Sequence, residues 1–549
     1  MSPQVQKGER SREDRILTEI RPTSIVEDIP AAEVGPESWT QMINFYMRVG
    51  YAQRISGVSQ FFENWTDEAI HLANVFSATL NFWTVMGKET IQVIDQAGDV
   101  DDITPAVYAS PVLPSEANIT IINGFPVFNF RQSPPAFWDL NTGNIAAPLT
   151  GWPAATTCRS MRTFNNFLFA LNMTEGGNEF PTKLRWSNAA EPGTVPTEWV
   201  ATATNNAGDA SLADTSGGII DAATLRSQLM IYKEHSTYSA NFVGGSFVFT
   251  FKKFLSSSGI MAANCVTEAL GNHIVMTDGD VIIHDGQNIR SLVDEKLRRF
   301  IFLQIDPINF LNSFVFNYRA TKEVWICYPT QGFVEPNIAV VWDYAHDKLS
   351  IRELPETWSH AQSGLVLATT EVLDWDGQTE TWNETSDSWN RAQFTGAFER
   401  VLSSVAISTP TGIFDPLGDT NSRLLFVDDT STSRDESAVI GQITRESLDL
   451  GTPEALKYVR RVWPRLEGSS GTVVKVRVGV QDEPSEGISW SVQQDFRINE
   501  DDFLNFDQSG RYISVRFEDD SAPGADTNPL WRVHGFDLEY TFQGDFSGA

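Results

Sequence analysis

Seven histidines, His71, His235, His273, His284, His346, His360 and His534, are the first candidates for metal or acid–base chemistry. None stands at HxH, HxxxH or HExxH spacing, the intervals that bring two imidazoles to one metal ion. His273 and His284 flank one expected hairpin and could meet in space as a zinc pair; packed or surface imidazoles are the plainer reading. The stretch EVLDWDGQTETWNETSDSW gathers Glu371, Asp374, Asp376, Glu380, Glu384 and Asp387 with no basic residue between them. A retaining glycosidase needs two carboxylates about 5 Å apart, usually from separate strands, which a local run does not establish. Asp374, Asp376 and Glu380 offer hard oxygens to Ca²⁺, yet the EF-hand order of ligands is absent. A solvated acidic loop is the simplest account of the run.

Nucleophiles are no better marked. The chain has no GxSxG and no GxxxxGK[ST], and Gly244-Gly245 in NFVGGSF reads as a turn because no helix follows. Cys158, Cys265 and Cys327 are odd in number, far apart and free of any CxxC pattern, which points to folding in a reducing cytoplasm without disulfides. Cys265 and Cys327 lie in strand-like surroundings, where thiols usually pack. Matches to Asn-x-Ser/Thr at Asn64, Asn118, Asn172 and Asn383 read as chance. No catalytic residue, cofactor or metal ligand is assigned, and the expectation is a protein that is not an enzyme.

Aromatic residues raise a different question. In LRWSNAAEPGTVPTEWV, Trp186 and Trp199 bracket a polar loop and could wall a ligand pocket or pack in a core. The 549 residues include 35 Phe, 16 Trp and 11 Tyr, enough for several cores or for a sugar-binding groove; between blades of a propeller such rings most often pack. The formal net charge is −31, with no Lys/Arg block to offset it, which argues against tight binding to nucleic acid. The start, MSPQVQKGERSREDR, lacks the apolar core of a secretion signal. The most apolar stretch, RFIFLQIDPINFLNSFVF, is interrupted by Gln304, Asp306, Pro307 and Asn309, so no membrane span is expected.

The elements that must position these residues are strands. ATLNFWTVM with ETIQVID, NITIINGFPVFNF with AFWDL, TFNNFLFAL with TKLRWS, SQLMIYKEHSTYSANF, NHIVMTDGDVIIHDG, and FVFNYRATKEVWICYP with NIAVVWDYAHDKLSIREL each read as a strand pair or more, with Asp278-Gly279 as a hairpin turn. Several end alike, in an apolar run, an Asp and a few polar residues: Asp95, Asp139, Asp285, Asp343 and Asp374. A degenerate period of roughly 40–60 residues, with about four short strands per unit, marks a propeller. Further on, TVVKVRVGV, RYISVRFEDD and GFDLEY alternate as half-buried antiparallel strands do. The expected fold is mainly β: a β-propeller of five to seven blades followed by a C-terminal antiparallel β-sandwich-like domain. Residues 1–24 read as a flexible arm, 25–75 as an extended lead-in with first strands and 76–354 as the propeller core. Residues 355–450 read as an acidic loop-rich segment, either an insertion or the last blade, and 451–549 as the C-terminal β domain.

In their order along the chain, LRWSN, LMIYKEHSTYSANFVGG and GIMAANCVTEALGNHIVMTDGDVIIHDG resemble the tail nozzle proteins of short-tailed bacteriophages, also called tail-tube or packaged-DNA stabilisation proteins. The Pro-rich lead with Trp39 and the Arg-x-x-Gly step at Arg54 and Gly57 agree, as do GRYISVRFEDD and WRVHGFDLEY near the end. The resemblance runs from about Ile25 to Tyr540 and is weakest over 355–450. It implies that Arg185, Trp186, Ser187 and Asn188 are fold residues of one blade. Tyr232, Lys233, Glu234 and Tyr238 would belong to the next, and Trp531, Gly535, Phe536 and Tyr540 would close the last domain. It further implies a virion structural protein assembled in the host cytoplasm as a homo-hexameric ring. That ring would meet an adaptor ring, and tail fibres or a needle or plug, while genomic double-stranded DNA passes through the lumen without tight binding. The alternatives are a propeller-type or tailspike-like glycan hydrolase and a glycan-binding receptor module.

Overall fold

The computed structural model describes residues 16–545 apart from 66, 77–80, 96–97, 109–111, 113, 246, 295, 355–356, 367–397, 406–421, 428–432, 435–436, 439 and 520–529. The acidic run from Glu371 to Asp387 therefore lies outside the described residues, and Asp374 with it.

Six successive four-stranded antiparallel sheets cover 69–102, 117–148, 156–211, 219–255, 266–291 and 314–353. In each, neighbours in sequence are neighbours in the sheet, the simple meander that short loops favour. A seventh sheet begins with Trp358–Val366, Phe398–Val405 and Ser422–Val427, and its fourth strand is Val58–Trp65, paired antiparallel to Ser422–Val427. The first strands of the seven sheets each touch the next, and Trp358–Val366 touches Ala69–Phe76, so the ring closes on itself. This is a seven-bladed β-propeller, the upper end of the expected range. Its last blade takes strands from within 355–450 and one from the stretch read as a lead-in. A strand from before the first blade thus completes the seventh, which ties the two ends of the ring by backbone hydrogen bonds.

The recurring Asp has a local cause. Asp95, Asp139, Asp285 and Asp343 each stand at the end of a blade's third strand, where a carboxylate oxygen accepts the N–H of a residue two to four further on. These side-chain turns launch the fourth strand. Between blades the chain packs aromatic and branched residues. Phe82 and Trp138 meet edge to face across blades one and two, with centroids 5.1 Å apart. Phe169, Trp186 and Phe249 do so across blades three and four. Trp325 and Trp358 stack across blades six and seven.

Ser433–Arg434 and Ser437–Ala438 extend the seventh sheet, Ser24–Ile25 pairs in parallel with Ser38–Trp39, and the remaining described strands build two six-stranded sheets. One joins Leu504–Gly510, Ala455–Glu467 and Arg532–Asp545 to Tyr51–Arg54, Phe45–Arg48 and Ile16–Ile20. The other joins Gln442–Leu448, Tyr512–Asp519, Val473–Gln481, Ser489–Trp490 and Gln494–Arg497 to Gln41–Ile43. TPEALKYVRRVW, which reads as either a short helix or the start of a strand, lies mostly in the long strand Ala455–Glu467. The two sheets turn apolar faces together: Phe517 of one and Phe536 of the other lie 5.6 Å apart, with Trp39 against both. The N-terminal strands are thus part of this module, which differs from the expected 451–549. It is fastened to blade six, where the Asn44 amide bonds Glu353 and the Met47 N–H bonds Ser350.

Among the described residues, the single α-helix is Arg298–Gln304, between blades five and six, and no helix is long and apolar enough to cross a membrane.

Candidate functional site at the propeller axis

The innermost strands bring polar residues to the axis. Asp221 is the third residue of Ile219–Leu225 and is fully buried. Its Oδ1 accepts Arg162 Nε at 2.7 Å, Ser160 Oγ at 3.0 Å and the Ala222 N–H at 2.8 Å. Its Oδ2 accepts Arg162 Nη2 at 2.8 Å and the Asn264 N–H at 2.9 Å. Burial pushes this carboxyl up, but the charge and hydrogen bonds of Arg162 and the two backbone N–H groups outweigh it, so its pKa lies below the usual carboxylate range. Arg162 Nη2 also donates to Asn264 Oδ1 at 2.6 Å.

Beside this network His71 and His360 stack, with ring centroids 4.0 Å apart. Each is the third residue of its inner strand, and both are buried. The Leu72 N–H donates to His360 Nδ1 at 3.2 Å, so that nitrogen is the acceptor and Nε2 carries the proton. Burial, reinforced for each ring by the Arg162 charge, lowers His71 to about 3 and His360 well below the ordinary histidine value. Both rings are neutral near pH 7. His71 Nδ1 has no hydrogen-bond partner.

Next to this layer lies a cavity of about 470 Å³ lined by residues from all seven blades. His71, His360, Arg162 and Asn264 form its inner, mostly buried part, while Glu268, Arg319 and Glu399 are more exposed. Sequence spacing did not reveal this set: His71 and His360 are 289 positions apart, and only alignment of the blades shows that His71, Asp221 and His360 share one strand position.

His273 and His284, read as packed or surface imidazoles with a zinc pair as the alternative, do meet, on a tyrosine. Tyr232 Oη lies 2.7 Å from His273 Nδ1 and 2.8 Å from His284 Nε2. His273 Nε2 faces the Thr224 carbonyl at 2.9 Å and must donate to it. His273 Nδ1 therefore accepts from the tyrosine, whose oxygen accepts from His284 Nε2–H. The relay runs in one direction with both rings neutral, and burial lowers His273 to about 4 and His284 to about 3.

The residues that carry the nozzle resemblance do not converge on one site. Arg54 and Asp519 pair in the two-sheet module, each side chain about 1% exposed, and Trp531 Nε1 donates to the same carboxylate at 2.5 Å. Trp39, Phe536 and Tyr540 lie in the surrounding core, and the Gly57 carbonyl accepts from buried Arg352. Gly535 has φ 140°, and a Cβ there would strike the Ile20 carbonyl, so only glycine fits. In blade three, Arg185 bonds Glu175 at 2.8 Å and Ser187 Oγ accepts the Leu168 N–H. Asn188 ties down the loop through Glu198 and Asn206. Trp186 and Trp199 are buried in two separate clusters, Trp186 donating to the Asn206 carbonyl and Trp199 meeting Trp152 edge to face, so they do not wall a common pocket. In blade four, the Lys233 ammonium is enclosed by the Leu212 and Thr215 carbonyls, Tyr238 donates to Asp214, and the Glu234 side chain is exposed while its N–H bonds the Gly218 carbonyl. Cys158, Cys265 and Cys327 are buried free thiols, and burial pushes all three upward.

No family model and no curated protein matches the chain. Among solved structures it is similar to YCF48 bound to a D1 peptide, at 8% identity and TM-score 0.35, covering 68% of this chain and 98% of that one. It is also similar to a streptogramin B lyase, at 11% identity and TM-score 0.34, covering 54% and 87%. A third is PorZ, a surface component of the type-IX secretion system of Porphyromonas gingivalis, at 9% identity and TM-score 0.33, covering 82% and 46%. The fold assignment itself rests on the sheet connectivity and ring closure.

Proposed function

We propose that the chain is a virion structural protein, one subunit of a homo-hexameric ring at the distal end of a short phage tail, through which the packaged genome is retained and then leaves. The observation that carries this reading is the acidity of the folded surface, joined to the nozzle-like order of motifs from Trp39 to Tyr540. Among the described residues ten acidic and six basic side chains are buried, a net of four negative charges, while the chain as a whole carries −31. A duplex needs clustered cations to be held, because affinity comes from neutralising phosphates and releasing their counterions. A ring of such subunits presents the opposite sign, with a field reaching about one Debye length, roughly 8 Å at physiological salt. The motif residues fit this reading as folding nodes: Arg54, Tyr232, Lys233 and Trp531 are all buried and bonded internally. The adaptor ring and a fibre, needle or plug are the partners that go with it.

Mass measurement and electron microscopy of assembled tails test the proposal. Six copies in a distal ring are expected, and one copy per particle would end it. The isolated chain should not bind duplex DNA at moderate salt. A micromolar complex that weakens steeply with added salt would show that the electrostatics run the other way.

A further inference from the structure

We infer that the hairpin tip of blade four is a membrane-seating element that inserts into the interface of a phospholipid bilayer, independently of whether the chain is a nozzle subunit. Between Glu234 and Lys252 the sequence runs through seventeen residues without an Asp, Glu, Lys or Arg, in a chain where one residue in five is charged. The middle of this run, FVGGSFVF, joins the third strand of the blade, Thr237–Phe242, to the fourth, Phe249–Leu255. Gly244 and Gly245 take φ of 69° and 70°, which side chains with a Cβ rarely adopt. The Val243 and Gly244 N–H groups both donate to the Val248 carbonyl and close the hairpin. Apolar side chains are left facing water: Phe242 is 50% exposed, Val243 53% and Phe247 78%. Phe242 also lies against Phe167 and Phe249, with centroids 5.8 and 5.6 Å away, so the tip is anchored to the aromatic core shared by blades three and four.

Size and charge select the partner. Three apolar side chains at the end of a two-stranded hairpin fall well short of the roughly 800 Å² per partner that a stable protein interface buries. A bilayer asks for no matching groove, and apolar side chains leave water there at a depth of about 5–10 Å. Lys252 and Lys253, both exposed, follow Phe247 by five and six residues, roughly 15–20 Å along a strand. Insertion depth and a headgroup layer of about 5–8 Å add up to a similar span, and the lysine stems reach across the remainder. Two ammonium groups thus come to the level of the lipid phosphates, opposite to them in sign, in a chain whose net charge is −31. Asp214, 3.9 Å from the Lys253 ammonium, offsets part of that charge and leaves Lys252 as the stronger phosphate contact.

Flotation of the full-length chain with phosphatidylcholine vesicles tests this. The chain should rise with the vesicles and be half-bound at lipid concentrations on the order of 1 mM, weaker than anchoring by one acyl chain. Phe247→Ser should lower the bound fraction about fivefold at an unchanged melting temperature, and adding Phe242→Ser should bring it to background. Lys252→Glu should lower it about threefold. Cys158, Cys265 and Cys327 are buried, so an environment-sensitive dye can be directed to Val243→Cys. Its emission should shift to the blue with vesicles, while the same dye on Val492→Cys, at a position 86% exposed in the two-sheet module, should not respond. If the double variant does not fold, Phe247→Ser and the dye decide. The inference is overturned if the chain does not float, if Phe247→Ser floats as well as the parent, or if the dye responds equally at both positions. Self-association of the lipid-free chain that Phe247→Ser abolishes, without flotation, would assign the tip to a second copy instead.

Discussion

Arg54–Asp519 and Arg162–Asp221 are both arginine–aspartate pairs with a buried carboxylate, and they differ in what surrounds them. Arg54 and Asp519 are sealed in the core of the two-sheet module, with side chains about 1% exposed. The Trp531 indole and the Gly441 N–H bond the carboxylate, and the Asn44 and Ile55 carbonyls accept from the guanidinium. Arg162 and Asp221 form the better geometry, two parallel N–H···O bonds, yet the Arg162 side chain is 18% exposed and borders the axial cavity. A sealed pair can only hold strands together. A pair at the wall of a cavity also sets the field inside it, which is why the same two residue types are a structural node in one region and part of a candidate site in the other.

The comparison breaks most sharply by deleting the carboxylates. Asp519→Ala leaves a buried guanidinium uncompensated and should cost about 3–5 kcal/mol in urea denaturation, with loss of soluble protein. Asp221→Ala should cost less, about 2–3 kcal/mol, because water in the cavity can reach Arg162. Equal losses at the two sites would remove the distinction.

Acid should weaken the propeller. His71, His273 and His284 have folded values of about 3, 4 and 3, below the ordinary value near 6.5. The unfolded chain then binds more protons than the folded one across that window. The stabilising contribution of each neutral imidazole is complete above pH 6.5 and drains away as pH falls toward 3–4, by about 2 kcal/mol per ring at pH 5. Thermal melts from pH 7 to pH 4.5 should show a steep decline. His360→Asn, which keeps an acceptor for the Leu72 N–H, should flatten it by about one proton.

Smaller effects sharpen the picture. Tyr232→Phe removes the hydroxyl that bridges His273 and His284 and should cost about 1–2 kcal/mol. A loss under about 0.5 kcal/mol would mean the imidazoles find other partners. Asp139→Ala touches only an exposed turn of blade two and should move the melting temperature by about 1–2 °C.

Much of this architecture was legible in the residues. Alternation in TVVKVRVGV and RYISVRFEDD gave half-buried strands because side chains point to opposite faces at a period of two. The Asp after the third strand marked blades one, two, five and six because a short carboxylate bonds the next turn's N–H groups wherever that turn recurs. The candidate site was not legible. His71, Arg162, Asp221, Asn264 and His360 come from five blades, no two of them less than 40 positions apart, and no local spacing connects them. The pairing of His273 and His284 was suggested by their hairpin, but Tyr232, 41 positions before His273, decides that the rings bond a hydroxyl.

The sequence by itself determined strand periodicity, turn positions, an acidic surface and a chain without disulfide or metal patterns, since each depends on composition or on neighbours a few residues apart. Tertiary structure alone decided the count of seven, the use of Val58–Trp65 to close the last blade and the recruitment of N-terminal strands into the C-terminal sheets. It also decided which charges face a cavity and which face only protein. These outcomes turn on how a curved ring of sheets closes and on which distant side chains its axis gathers, and a pairing across several hundred residues leaves no mark on the local pattern.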